Sequence, residues 1–348
     1  MNNYETNAAD TPVSITDDPP KMRTLMFLYN PRSGKGLIKQ NLFDIINILT
    51  TGGFYVTAYP SQRPLDVHDK IISEGDKYDV IAVSGGDGTL SEAVSAFMEA
   101  GLKKPLGYIP AGSTNDFAAS MGISRDMQQA ARDIVEGVEF AYDIGCFNGK
   151  YFVYVAAFGM FTDVTYETPQ QVKNVLGHAA YVLEGMRRLP SYKGMDLTVY
   201  HDGIAEWGNF IIGLITNSRS VGGMAIPSLE GTSFDDGLLE VSLVRTPENP
   251  LMLQQTLNDI LSNRVEYSKN VLAFSTSDLT LISEEGISWT TDGESGGVHN
   301  EVEIKCFKRA IKIIVPRRAE TERQSAAIPM IEKTSAVHSA SEEKQADE

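Results

Sequence analysis

Cysteine is scarce: Cys146 and Cys306 are the only two in 348 residues. Two thiols make no disulfide framework, and neither has the C-x-x-C spacing of a metal or redox site. Both are expected to be reduced, in a cytoplasmic protein. Long apolar runs are missing as well. The longest, "YFVYVAAFGMF" at 151–161, is about half of what a membrane-spanning helix needs. The first 20 residues lack the basic and apolar regions of a secretory signal. No transmembrane segment is expected, so any lipid would be met peripherally and transiently, at a membrane surface. Positive charge is in deficit: 30 Lys and Arg stand against 46 Asp and Glu, a net charge of −16. That balance excludes nucleic-acid binding by broad neutralisation of phosphates. Apolar periodicity is absent from both ends. Residues 1–21, with Glu5, Asp10, Asp17 and Asp18, and residues 318–348, rich in Ser, Ala, Thr and acidic side chains, read as disordered tails.

What is present between the tails is alternation. "RTLMFLYN", "FYVTAYP", "YDVIAVS" and "PLGYIP" read as strands, separated by helical spacing at 36–51, 64–75 and 89–100 and followed by helices at 114–120 and 125–136. Continuous apolar strands alternating with amphipathic helices predict a doubly wound α/β domain with a parallel sheet. Beyond about residue 138 the texture becomes that of an antiparallel sandwich: "YFVYVAAFG", "MDLTVYHDG", "EWGNFIIGLITN", "GLLEVSLV", "VLAFSTSD", "LTLISEE" and "ISWTTDGE". Helices are expected at 172–186 and about 249–262. Arg187, Arg188 and Lys193 follow the first of these, where they would either meet anionic lipid heads or simply close the helix.

Glycine clusters sit at the ends of three strands. "YNPRSGKG" at 29–36 is not a Walker P-loop, because position 29 would need glycine and position 36 serine or threonine. "GGDGTL" at 85–90 is not the dinucleotide fingerprint, since Ser91 stands where the third glycine belongs. "PAGSTNDFAAS" at 110–120 repeats the order strand, glycine, hydroxyl, carboxylate, helix. One such cluster is an ordinary strand-to-helix turn; three on neighbouring strand ends point to a bound phosphate.

Taken together, "NPRSG", "GGDGT" and "GSTNDFA", with "YDIG" after them, "FDDGLLEV" at 234–241 and "TDGES" at 291–295, resemble the diacylglycerol kinase catalytic family. That family includes soluble bacterial lipid kinases and is related to sphingosine and ceramide kinases. The resemblance implies an ATP-binding α/β domain at 22–140, rejoined by 300–317. A β-sandwich lipid-substrate domain at 141–299 would follow, with the active site in the cleft between them. It implies that Asn30, Pro31, Arg32, Ser33 and Gly34 form the first nucleotide loop. Gly85, Gly86, Asp87, Gly88, Thr89, Leu90, Ser91 and Glu92 would wrap the phosphates. Ser113 would contact ATP where the family commonly has threonine, and Ser61 would add a further contact.

ATP brings about four negative charges, so carboxylates beside it need cations between, and Mg²⁺ takes one or two carboxylates plus water and phosphate. By resemblance, Asp87, Asp116 and Asp143 hold the catalytic Mg²⁺; helix capping is the other reading of the first two. Glu294 matches the general base, with Asp292 orienting it or helping to bind metal, although "DGE" between β-formers is also a routine hairpin turn. Asp236, with the carbonyls of Ser233 and Leu238, matches a structural Mg²⁺ site, or a turn closed by Asx hydrogen bonds. The implied activity is Mg²⁺-dependent transfer of the ATP γ-phosphoryl group to the hydroxyl of diacylglycerol, giving phosphatidic acid, or to a related lipid. A NAD kinase-like enzyme shares "GGDGT" but not "GSTNDFA", and a nucleotide-binding regulator would need no proton acceptor. Bacterial members form homodimers, a state this sequence does not encode by itself.

Overall fold

The computed structural model describes residues 22–34, 36–159, 194–222, 224–225, 233–261 and 265–317. The helix expected at 172–186, the cations after it and both tails lie outside the described residues.

Four of the apolar runs become parallel strands. β1 (Arg23–Tyr29), β2 (Phe54–Pro60), β3 (Val80–Gly85) and β4 (Pro105–Pro110) pair in the order β2-β1-β3-β4. β3 is buried along its whole length, as are Leu25 to Leu28 of β1, which is why neither run shows polar alternation. The chain returns between strands through α1 (Ile38–Thr51), α2 (Asp66–Glu74), α3 (Asp87–Ala100), α4 (Asp116–Met121) and α5 (Met127–Glu136). α3 buries Leu90, Ala93, Val94 and Phe97, the stripe expected of a helix laid on a sheet. α5 starts at Asp126, whose carboxylate accepts the Gln129 N–H at 2.7 Å. α1 lies against α5, and α2 against α3. Register then sets the site: Tyr29 is level with Pro60 and Ser84, and Gly85 with Pro110. All four strands end on one edge, where such sheets bind ligands.

The second half comprises β5 (Val138–Phe147), β6 (Lys150–Phe152), β7 (Val155–Gly159), β8 (Met195–His201), β9 (Ile204–Thr216), β10 (Ser220–Val221), β11 (Met224–Ala225) and β12 (Leu239–Arg245). After α6 (Pro250–Leu261) come β13 (Val271–Thr276), β14 (Asp278–Thr291) and β15 (Glu294–Val315). β7 and β8 lie end to end between β9 and β14. Phe147, Phe158, Val199, Phe210, Leu243 and Leu281 from this antiparallel region share one core, so the region curls around its own apolar face.

Hydrogen bonding does not stop between the halves: a single 13-stranded sheet contains both. β15 is the link. Over 22 residues it pairs with β14, then with β5, and its end runs parallel to β4 at Lys312 and Ile313. A bulge between Phe307 and Ile311 breaks its register with β5, and Arg309 within it has a φ of 48°. Bulges bend strands, and this one lies where β15 passes from one half to the other.

Some local expectations are corrected. "LTLISEE" and "ISWTTDGE" are one strand, β14, because a register shift between Ile282 and Ile287 absorbs the polar break between them. "YFVYVAAFG" is two strands, because the N–H groups of Val153, Tyr154 and Val155 turn to the carboxylate of Asp292. β5 was hidden in sequence since its burial changes from partial to complete along its length.

Candidate active site

The three glycine turns touch. A Cβ on Gly34 would lie 2.3 Å from the Ala111 carbonyl oxygen, and Gly34 has a φ of +54°. A Cβ on Gly112 would lie 2.7 Å from Gly86 Cα. The Gly86 N–H donates to Ser33 Oγ at 3.3 Å. First meets third, second meets third and first meets second, and two of these approaches need a residue without Cβ. Asn30 Oδ1 accepts the Arg32 N–H at 2.9 Å and shapes the first turn, with Pro31 half-buried and Arg32 exposed. The Ser61 N–H donates to the Tyr29 carbonyl at 2.9 Å, which sets Ser61 beside that turn. Asn115, at a φ of 52°, accepts the Gly112 N–H at 2.8 Å and donates to its carbonyl at 2.9 Å. Ser113 is left exposed at the tip. Leu90 and Thr89 face inward: Leu90 is in the core, and Thr89 packs where a Cβ on Gly85 would stand.

Two carboxylates begin helices at this edge. Asp87 Oδ2 accepts the Thr114 hydroxyl at 3.1 Å, and the N–H groups of Asp116 and Phe117 also face that carboxylate. Asp87 Oδ1 is buried and has no hydrogen-bond partner. Burial, and then the charge of Asp116, raise the Asp87 carboxyl above its ordinary value. Asp116 is 1% exposed and accepts the Ser220 hydroxyl at 2.6 Å. Among the described residues no three His, Cys, Asp or Glu side chains are arranged to hold a metal alone.

The motif from the far end of the chain arrives at the same place. Asp292 and Gly293, with φ of 49° and 83°, form the two-residue turn between β14 and β15, with Thr291 opposite Glu294. An Asp-Gly pair is suited to this tight hairpin. The Asp292 carboxylate is buried and accepts the Ser91 hydroxyl at 2.6 Å and the N–H groups of Val153, Tyr154 and Val155 at 2.7, 3.0 and 3.2 Å. It is an anchor for the turn, saturated by four donors. Burial still raises its carboxyl, against those hydrogen bonds. Glu294 is exposed, and its Oε1 lies 3.2 Å from where a Cβ on Gly88 would stand. It thus overlies the first turn of α3. Glu92, one turn further along, takes the N–H groups of Leu65 and Val67 at the start of α2; burial raises its carboxyl first, and the charge of Glu294 adds to the effect. Tyr154 marks the centre: burial, then the charges of Asp292, Asp87 and Asp116, push its phenol far up.

Asp143 belongs to a second acidic group. Its Oδ1 accepts the Arg309 N–H at 2.5 Å and its Oδ2 the Gly237 N–H at 2.6 Å. After burial and these bonds, the charges that act on it are Asp236 and Asp235. Asp236 Oδ1 accepts the Leu238 N–H at 2.9 Å, an Asx turn, and Ser233 Oγ donates to Asp235 Oδ1 at 2.7 Å. The Arg309 guanidinium meets Asp235 Oδ2 at 2.9 Å. Each of these carboxylates thus has at least one protein donor. Sequence reasoning missed Tyr154, Asn115, Arg309 and the hydroxyls of "NSRS" at 217–220. Only the last carried a signal, as a polar strand end like the third glycine motif.

Comparison with known proteins supports the same assignment. Residues 24–147 match the diacylglycerol kinase catalytic domain, and residues 156–315 match the YegS C-terminal NAD kinase beta sandwich-like domain. A diacylglycerol kinase of Staphylococcus aureus strain NCTC 8325 is 34% identical over 278 residues, 78% of this chain and 85% of that protein. One from Bacillus subtilis strain 168 is 28% identical over 298 residues, 85% of this chain and 97% of that protein. A solved structure of a diacylglycerol kinase from Bacillus anthracis is similar in fold, with a TM-score of 0.67 at 19% identity, over 86% of this chain and 100% of that one. Motif order, converging turns and the extent of these matches agree: the chain belongs to the diacylglycerol kinase family and is a kinase.

Proposed function

We propose that this chain transfers the γ-phosphoryl group of ATP to the hydroxyl of diacylglycerol, giving phosphatidic acid, or to that of a closely related lipid. The observation that carries the reading is Glu294 lying over Gly88, in the first turn of the helix that starts beside the meeting glycine turns, where a proton acceptor is needed.

α3 starts at Gly86 and directs its first N–H groups and positive end at that meeting point, a favourable seat for phosphates. Asp87 at the same helix start would repel ATP unless a cation lay between. Its orphaned Oδ1 fits that need, so Asp87 and Asp116 would hold Mg²⁺, with water and phosphate oxygens completing the shell. When bound, the ion neutralises charge on the transferring group. Ser33, Ser61 and Ser113 offer hydroxyls around the phosphates and ribose. Glu294 takes the proton of the lipid hydroxyl. Asp292, bonded to Ser91 of α3 and to Val153, Tyr154 and Val155, keeps Glu294 facing the crevice. No helix among the described residues is long and apolar enough to cross a membrane, and the lipid would be taken from a bilayer surface.

The test is label transfer from γ-labelled ATP to a lipid panel in mixed micelles, with Mg²⁺ present or withheld. Label is expected in phosphatidic acid, and only with the divalent ion. Label on NAD instead, or equal transfer in chelator, would contradict the proposal.

A further inference from the structure

Asp116 is held from the opposite half of the molecule. Two residues of α4, Asp116 and Ser120, face a short polar segment that follows β9. Ser220 Oγ donates to Asp116 Oδ1 at 2.6 Å. Ser120 Oγ and Ser218 Oγ share a hydrogen bond at 2.7 Å, and the Arg219 N–H donates to Ser120 Oγ at 3.2 Å. Ser218 Oγ in turn donates to the Ser220 carbonyl at 2.7 Å and accepts the Ser220 N–H at 3.1 Å. Asp116, Ser218 and Ser220 are 1%, 3% and 9% exposed, so water does not compete for these bonds. A hydroxyl has one proton to give, and that of Ser220 is committed to the carboxylate. Hydrogen bonds to a charged group are short and orienting, and buried partners of a metal-binding carboxylate set its direction.

We infer that Ser220 is a positioning residue for Asp116, so that affinity for the divalent cation at the first half's glycine turns depends on a hydroxyl supplied by the second. The inference rests on the proposed role of Asp116 in holding that cation. In the metal-free protein the Ser220–Asp116 bond fixes one carboxylate oxygen. The cation then meets a carboxylate already turned, rather than one that must be ordered on binding.

The experiment measures Mn²⁺ binding by electron paramagnetic resonance, in the presence of a non-hydrolysable ATP analogue, for wild type, S220A, S220T and D116N. Each protein is also melted without metal. S220A is expected to weaken Mn²⁺ by roughly tenfold, the effect of losing one such bond. Its metal-free melting temperature should fall by a few degrees, since a buried carboxylate oxygen loses its donor, and S220T, which keeps the hydroxyl, should restore both stability and affinity. In turnover, S220A should be slow at limiting Mg²⁺ and recover at saturating Mg²⁺. Should S220A melt well below wild type, S220C, with similar volume and a weak donor, is judged by the same criterion. Wild-type Mn²⁺ affinity in S220A, with D116N strongly weakened, would overturn the positioning role alone. Wild-type affinity in D116N would overturn the reading of Asp116 and this inference together.

Discussion

Asp87 and Asp116 lie at the edge where the glycine turns meet, whereas Asp143, Asp235 and Asp236 lie at the bulge of β15. Both groups are crowded carboxylates, and neither is simply solvated. At the bulge, every carboxylate has a protein donor: two backbone N–H groups on Asp143, one on Asp236 and a guanidinium on Asp235. At the crevice, Asp87 keeps a buried oxygen with no partner, next to a second buried acid. A buried polar atom left unpaired costs stability, and a cation in the crevice would supply the missing partner. The bulge group ties distant parts of the chain together through Asp143, Gly237 and Arg309. The crevice group is left short of positive charge, which a divalent cation would bring.

Substitutions should separate the groups. The largest effect is expected for D87N, which removes the charge facing the cation: kcat/KM for MgATP should fall at least about a hundredfold. Its metal-free melting temperature should be no lower than wild type, since a costly buried charge has gone. A D87N protein of normal activity would break the comparison. Next is G34A, where a Cβ would be both strained at positive φ and driven into Ala111. A left-handed alanine alone costs about 1–2 kcal/mol, and KM for ATP should rise by roughly tenfold as the first turn leaves the third. D143N comes third. It leaves an amide N–H facing a backbone N–H, a loss of about 1–3 kcal/mol, so it should melt several degrees below wild type, as D87N does not. Equal melting of D143N and wild type would show that the bulge does not need its carboxylate.

The smallest effect is one of pH. Burial raises the Asp292 carboxyl in the folded protein above its ordinary value of 3.8. Such a group contributes stability below its unfolded value and loses it as pH rises through the folded one. The melting temperature of wild type minus that of D292N should therefore be greatest in acid and shrink toward neutral pH. A difference that grew with pH would mean that the four hydrogen bonds outweigh burial.

The parallel half was legible because each strand is a continuous apolar run and each helix a clean stripe. "FYVTAYP" and "PLGYIP" match β2 and β4 residue for residue. The glycines were legible too, since close backbone approach leaves no substitute for them. The sorting of carboxylates was not. Nothing local in "YDIG" tells that Asp143 will meet the N–H of Arg309, far along the chain and in a bulge whose φ the residue type does not announce. Nor does "TDGES" reveal that Asp292 turns inward while Glu294 turns out; that follows from hairpin geometry and from the backbone N–H groups of 153–155. Ser220 shows the same limit, because its partner lies on a helix in the other half.

The most direct test of the account is the steady-state turnover of E294Q with MgATP and diacylglycerol micelles, alongside its affinity for MgATP. Loss of the proton acceptor is expected to lower kcat by about 10²–10⁴ with nucleotide affinity unchanged. Full turnover in E294Q would contradict the assignment of Glu294, and with it the reading of this crevice as the place where the phosphoryl group is transferred.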